Sequence, residues 1–147
     1  MFIKIKKTHE DAVIPTYGTD GAGAFDIYSV TQDALEPGTT AIFHTGLSFE
    51  IPPGFALMIY SRSGQGFKWD VKLANATGIL DSDYRGELLV KLERFDDLYG
   101  DGGLYEVNVG DRIAQGIILP VPRIQFIESE TLSETARGTG GFGSTGA

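Results

Sequence analysis

The chain has 147 residues, no cysteine and a formal net charge of −8. That length argues for one domain able to bury its own core, and the lack of cysteine excludes a disulfide framework or thiolate metal site. The acidic balance is a poor footprint for gripping polymeric nucleic acid, where an electropositive surface supplies most of the affinity.

The elements read as strand after strand. "FIKIK" from Phe2 alternates apolar and basic residues, the period of a half-buried strand. "GAFDIYSV" follows the same logic, and "TTAIFHTGLSFEIP" is rich in β-branched and aromatic residues before the turn Pro52-Pro53-Gly54. "FALMIYS" is next, then one short helix around Ser63 to Trp69. Further strands are expected in "WDVKLAN", "GELLVKLERF", "LYEVNV", "IAQGIILPV" and "RIQFIES". No segment carries a long apolar stripe of helical period, so an all-β sandwich, jelly roll or barrel is expected. No apolar run is long enough for a membrane helix. "MFIKIKKTHED" lacks the apolar stretch of a secretory leader, so neither a leader nor a membrane contact is expected.

Two stretches break the pattern. Asp96 to Gly103 is a polar, glycine-rich loop. The end of the chain, "RGTGGFGSTG", holds five of the twenty glycines. It cannot bury an apolar face, yet it contains Arg137 and Phe142, which suggests order gained only on binding. A meaningless terminus is the plainer alternative.

Four further stretches can carry chemistry. "YSRSGQG" sets Arg62, Ser63, Gly64 and Gly66 directly after an apolar strand, where turn amides and a guanidinium can cradle an anion. A solvated turn is the plainer reading. "NATGILDSDYRGE" suggests a tight β-hairpin with Asp81 at its neck. Asp81 can serve as a general base for water or simply shape the turn. Asn75 offers a donor and an acceptor, which suits reading a base edge, and Tyr84 is either a stacking platform or hairpin packing. In "GDRIAQG", Gln115 can donate to a phosphate and Arg112 can make a structural ion pair. Asp26, flanked by aromatics, needs a partner if buried, either Mg²⁺ with its waters or an arginine such as Arg112. His9 and His44 lack metal-ligand spacing and read as structural or surface residues.

Singly these signals are weak; their order is not. "AGAFDIYS", "RSGQG", "NATGILDSDYRGE", "GDRIAQ" and "RGTGGFGSTG" resemble, in sequence, the five motifs of the trimeric dUTPases (deoxyuridine triphosphate nucleotidohydrolases). The likeness spans nearly the whole chain. It departs at Ser61, where the family usually has proline, and at Gln65 and Gly66, where it usually has an apolar residue and alanine. Asp96 to Gly103 looks like an insertion.

The resemblance implies a single-domain jelly roll, residues 1–135, and a flexible glycine-rich arm, residues 136–147, that closes over the site. It implies hydrolysis of dUTP to dUMP and pyrophosphate, which limits uracil in DNA and supplies dUMP for thymidylate synthesis. Asp81 would activate the attacking water. Asn75 and Gly78 would read uracil, and Tyr84 would pack under the deoxyribose. Arg62, Ser63, Gly64 and Gln115 would hold phosphates, with Arg112 in support. Arg137 would clamp the γ-phosphate and Phe142 would stack over uracil. Mg²⁺ would ride on the phosphates, with Asp26 reaching it through water. The family further implies a homotrimer with shared sites and a cytoplasmic location, that of a host cell for a phage protein. A regulatory protein partner could use the Asp96 to Gly103 loop.

Overall fold

The computed structural model describes residues 1–95 and 103–144. The described chain is a single jelly roll of antiparallel strands with one short helix. In order they are β1 (Lys4–Lys7), β2 (Thr16–Tyr17), β3 (Phe25–Tyr28), β4 (Asp33–Leu35), β5 (Thr40–His44), β6 (Leu47–Glu50), β7 (Phe55–Tyr60), α1 (Ser63–Trp69), β8 (Val71–Leu73), β9 (Gly78–Leu80), β10 (Leu89–Arg94), β11 (Tyr105–Val107) and β12 (Arg112–Pro120). The expected helix over Ser63–Trp69 is present. The Asp96 to Gly103 loop lies outside the described residues, apart from Gly103.

Five strands form the sheet that organises the site, in the order β2-β3-β12-β7-β9. A second sheet runs β5-β10-β8, and two ribbons pair β1 with β6 and β11 with β4. Alternation dictates which faces meet. In β10, Val90 and Leu92 point inward while Leu89 and Lys91 point out, as period-2 burial requires. They pack with Phe43, Val71 and Leu73 of the same sheet and with Ile27, Leu57, Ile59 and Ile113 of the larger one. Arg94 also points inward and is only 4% exposed. It is tolerated because its guanidinium donates to the carbonyls of Leu35 and Gly103.

Two sequence expectations are corrected. Arg123 to Ser129 forms no strand; Ile124, Phe126 and Ile127 are exposed at 69%, 88% and 82%. The alternation is suited to a sheet, but no described strand pairs with it. The third motif does not close a hydrogen-bonded hairpin, because β9 pairs with β7 whereas β10 pairs with β5 and β8. The turn between them therefore links two sheets. The short strands β2 and β4 went unread, being too brief to show a period.

Candidate active site

The site residues fall into two clusters. The first is built on β9. Gly78 lies opposite Ile59 of β7, and a Cβ there would come within 3.1 Å of the Ile59 Cβ and 3.8 Å of the Asn75 Nδ2. Only a bare backbone lets the two strands and Asn75 crowd together. Asn75, Gly78, Asp81 and Tyr84 line one pocket of about 620 Å³, whose walls include Ile59, Leu80 and Leu89.

Asp81 opens the turn after β9, its carbonyl accepting the Tyr84 amide at 3.2 Å. Its carboxylate is exposed, and no described residue hydrogen-bonds to it. The Tyr84 hydroxyl donates to the Glu87 carbonyl at 3.1 Å. Arg85 folds back, donating to the carbonyls of Ser82 at 2.7 Å and Tyr84 at 2.8 Å. Glu87 anchors the end of this loop. Its Oε1 accepts the Gly46 amide at 2.7 Å and its Oε2 lies 3.0 Å from the His44 Nδ1. Burial pushes the Glu87 carboxyl up, but the hydrogen bonds from His44 and from the Gly46 and Thr45 backbone outweigh it, so the net shift is downward. The sequence reading missed this clamp, since His44 and Glu87 lie 43 residues apart.

The second cluster is built where β7 runs into α1. Ser61, Arg62, Ser63, Gly66, Phe67 and Gln115 line a shallower cleft of about 390 Å³. Gln115 donates to the Ser61 carbonyl at 2.8 Å. The Ser61 hydroxyl accepts the Leu73 amide at 2.9 Å, a bond a proline could not make, so the departure from the family residue ties β7 to β8. Gly64 and Gly66 lie inside α1, and the amides of Gln65 and Gly66 both return to the Arg62 carbonyl. The amides of Ser63 and Gly64 open the helix, so any anion contact from the turn backbone falls to these two.

Asp26, on β3, finds its partners in arginine. Arg62 Nε donates to one oxygen at 3.2 Å and Arg112 Nη1 to the other at 3.3 Å. Arg62 Nη1 also donates to the Arg112 carbonyl at 3.1 Å, closing a three-residue ring. The β12–β3 register shifts between Arg112 and Ala114, and such bulges re-aim side chains. Among the described residues no group of three or more His, Cys, Asp or Glu assembles as metal ligands. A carboxylate has about four lone-pair sites, so Asp26 can still accept a water. This donor set fits a hard cation carried by phosphate oxygens and waters, with one carboxylate beside it.

No residue lines both pockets. Arg137 and Phe142 line neither; Arg137 Nε donates to the Gly140 carbonyl at 2.9 Å, and Phe142 is fully exposed with φ +51°. No helix among the described residues is long and apolar enough to cross a membrane.

The family profile described as dUTPase matches residues 10–146. The chain is 43% identical over 146 residues to the deoxyuridine 5'-triphosphate nucleotidohydrolase of Nautilia profundicola, covering 99% of each. It is 41% identical to that of Helicobacter pylori, covering 99% of this chain and 97% of the relative. The solved dUTPase of Staphylococcus bacteriophage 80alpha with dUPNHPP matches with a TM-score of 0.87 at 26% identity, over 99% of both chains. The order of the motifs, the jelly roll and these full-length matches agree, and the chain belongs to the dUTPase family.

Proposed function

We propose that the chain hydrolyses dUTP to dUMP and pyrophosphate in a site shared between neighbouring subunits of a homotrimer. The observation that carries the reading is the grouping of Asn75, Gly78, Tyr84 and an unpartnered Asp81 carboxylate around one pocket. Arg62, Ser63 and Gln115, which we read as the phosphate-binding side chains, gather in a separate cleft. One chain thus carries two half-sites, which a neighbour would complete.

In the uracil half-site, the Asn75 amide and the backbone at Gly78 meet the base edge. A wrong edge leaves buried partners unpaired, which discriminates strongly. Tyr84 packs under the deoxyribose and leaves no room for a 2′-hydroxyl. Asp81 takes a proton from the attacking water as its oxygen bonds to the α-phosphorus; the bond to the leaving pyrophosphate oxygen breaks. Arg62, Ser63, Gln115 and the backbone at Gly64 hold the phosphate chain and offset the charge developing on it. Arg112 supports them through Asp26.

The dUTPases depend on Mg²⁺ in general. When bound with the triphosphate, the ion neutralises phosphate charge, and Asp26 would hold it through water. From the arm of another subunit, Arg137 clamps the γ-phosphate and Phe142 closes over uracil. The apolar side chains of Ile124, Phe126 and Ile127 support such an exchange, because the described residues of their own chain leave them exposed. The enzyme is assigned to the cytoplasm.

The test is pyrophosphate release by the purified full-length chain with Mg²⁺ and a nucleotide panel. Turnover of dUTP with little of dCTP, dTTP or UTP is expected. Intact dUTP, or ammonia released from dCTP, would sink the reading.

A further inference from the structure

Gln65 stands where the dUTPases usually carry an apolar residue. It is 4% exposed. Its Nε2 donates to the Tyr105 hydroxyl at 2.8 Å and to the Arg112 carbonyl at 3.2 Å. The amide orientation is fixed by chemistry: a carbonyl only accepts, so the NH₂ group must face Arg112. The buried Oε1 is left without a hydrogen-bond partner among the described residues. A buried polar group with an orphaned acceptor costs stability whatever its role, so its presence needs an explanation.

What it serves is visible in the bonding. The Arg112 carbonyl accepts from both Gln65 Nε2 and Arg62 Nη1. That carbonyl is the main-chain corner of the Asp26–Arg62–Arg112 ring. Gln65 also joins α1 to β11 through Tyr105, whose ring lies 5.7 Å from that of Trp69 on the next turn of the helix. The corner is therefore tied to two elements rather than left to the bulge alone.

We propose that Gln65 is a positioning residue for phosphate binding: it fixes the Arg112 carbonyl, and through it the direction in which Arg62 faces the triphosphate. This rests on the reading of the Arg62 cleft as the phosphate half-site. It does not touch the uracil half-site, which shares no lining residue with that cleft.

The experiment compares the full-length protein with Gln65→Met, which keeps the volume and drops the donor. Gln65→Glu keeps the shape but sets a carboxylate against the Arg112 carbonyl. Pyrophosphate and dUMP binding are measured by calorimetry with Mg²⁺, alongside KM, kcat and melting temperature. Pyrophosphate affinity and KM for dUTP are expected to worsen by about three- to tenfold, the scale of one lost hydrogen bond. The dUMP affinity, which rests on the uracil half-site and a single phosphate, should fall less, and Gln65→Met should melt at or above the parent temperature. Unaltered pyrophosphate affinity, or an equal loss for both products, would overturn the proposal. If Gln65→Met does not fold, Gln65→Glu is read by the same criteria. Failure of the parent protein to turn over dUTP would instead count against the proposed function, since the two binding measurements need no turnover.

Discussion

Asp81 and Tyr84 sit three residues apart on one turn, and each can be removed from its task without disturbing the core. Asp81→Asn keeps the shape and the backbone bond to Tyr84 but cannot accept the proton of water. Its kcat should fall on the order of 10²–10⁴-fold, with nucleotide binding retained, as pyrophosphate release and calorimetry would show. Gly86 is a subtler lever. A Cβ there would collide with the Tyr84 ring, so Gly86→Ala should displace the tyrosine and cut the preference for dUTP over UTP by about tenfold. An unchanged ratio of kcat/KM values would mean that Tyr84 does not sense the sugar. At this scale the sequence was informative about grouping: Asn75, Gly78, Asp81 and Tyr84 belong to one contiguous motif and line one pocket. It could not choose the partner of Asp26, because Arg62 and Arg112 lie 36 and 86 residues away. Only the sheet brings them together.

Elements were legible to the extent that their period is local. The α1 span is marked by the change from an apolar run to small polar residues, β10 by alternation, and β7 and β12 by apolar runs long enough to count. Pairing is not local, which is why the third motif reads as a hairpin although its two strands join different sheets. The same limit explains Arg123 to Ser129. Alternation reports that one side of a segment wants burial, not which chain supplies the cover. If a neighbouring subunit covers it, Phe126→Asp should cost about 2 kcal/mol per subunit of assembly and shift sedimentation toward smaller species; an unaffected oligomer would leave Phe126 exposed in the assembly. The arm beyond it makes a separate claim. Ordering its backbone costs roughly 1–2 kcal/mol per residue, so closure should need the whole triphosphate. Truncation after Glu134 should leave a folded protein with severely reduced turnover, and full activity in that truncation would show the arm to be dispensable.

Across the whole molecule, the Glu87 clamp joins the turn after β9 to the end of β5. Its folded pKa lies below the ordinary 4.5. The sign follows: its contribution to stability is present above the unfolded value and is lost as pH falls through the depressed folded value. The melting temperature of the parent should therefore exceed that of Glu87→Gln above 4.5, and the margin should shrink on acidification below that value. A margin that widened in acid would show that the clamp is not held by the ionised carboxylate.

The separation of the two pockets has a genetic consequence. If each working site borrows one pocket from each of two chains, defects in different pockets are not allelic in effect. Asp81→Asn and Arg62→Ala subunits, each inactive alone, should regain turnover when unfolded together and reassembled, with roughly one site in four intact for random mixing in a cyclic assembly. Two inactive parents would thus yield an active hybrid, whereas a copy defective in one pocket, mixed with the parent, would spoil one site per copy and no more.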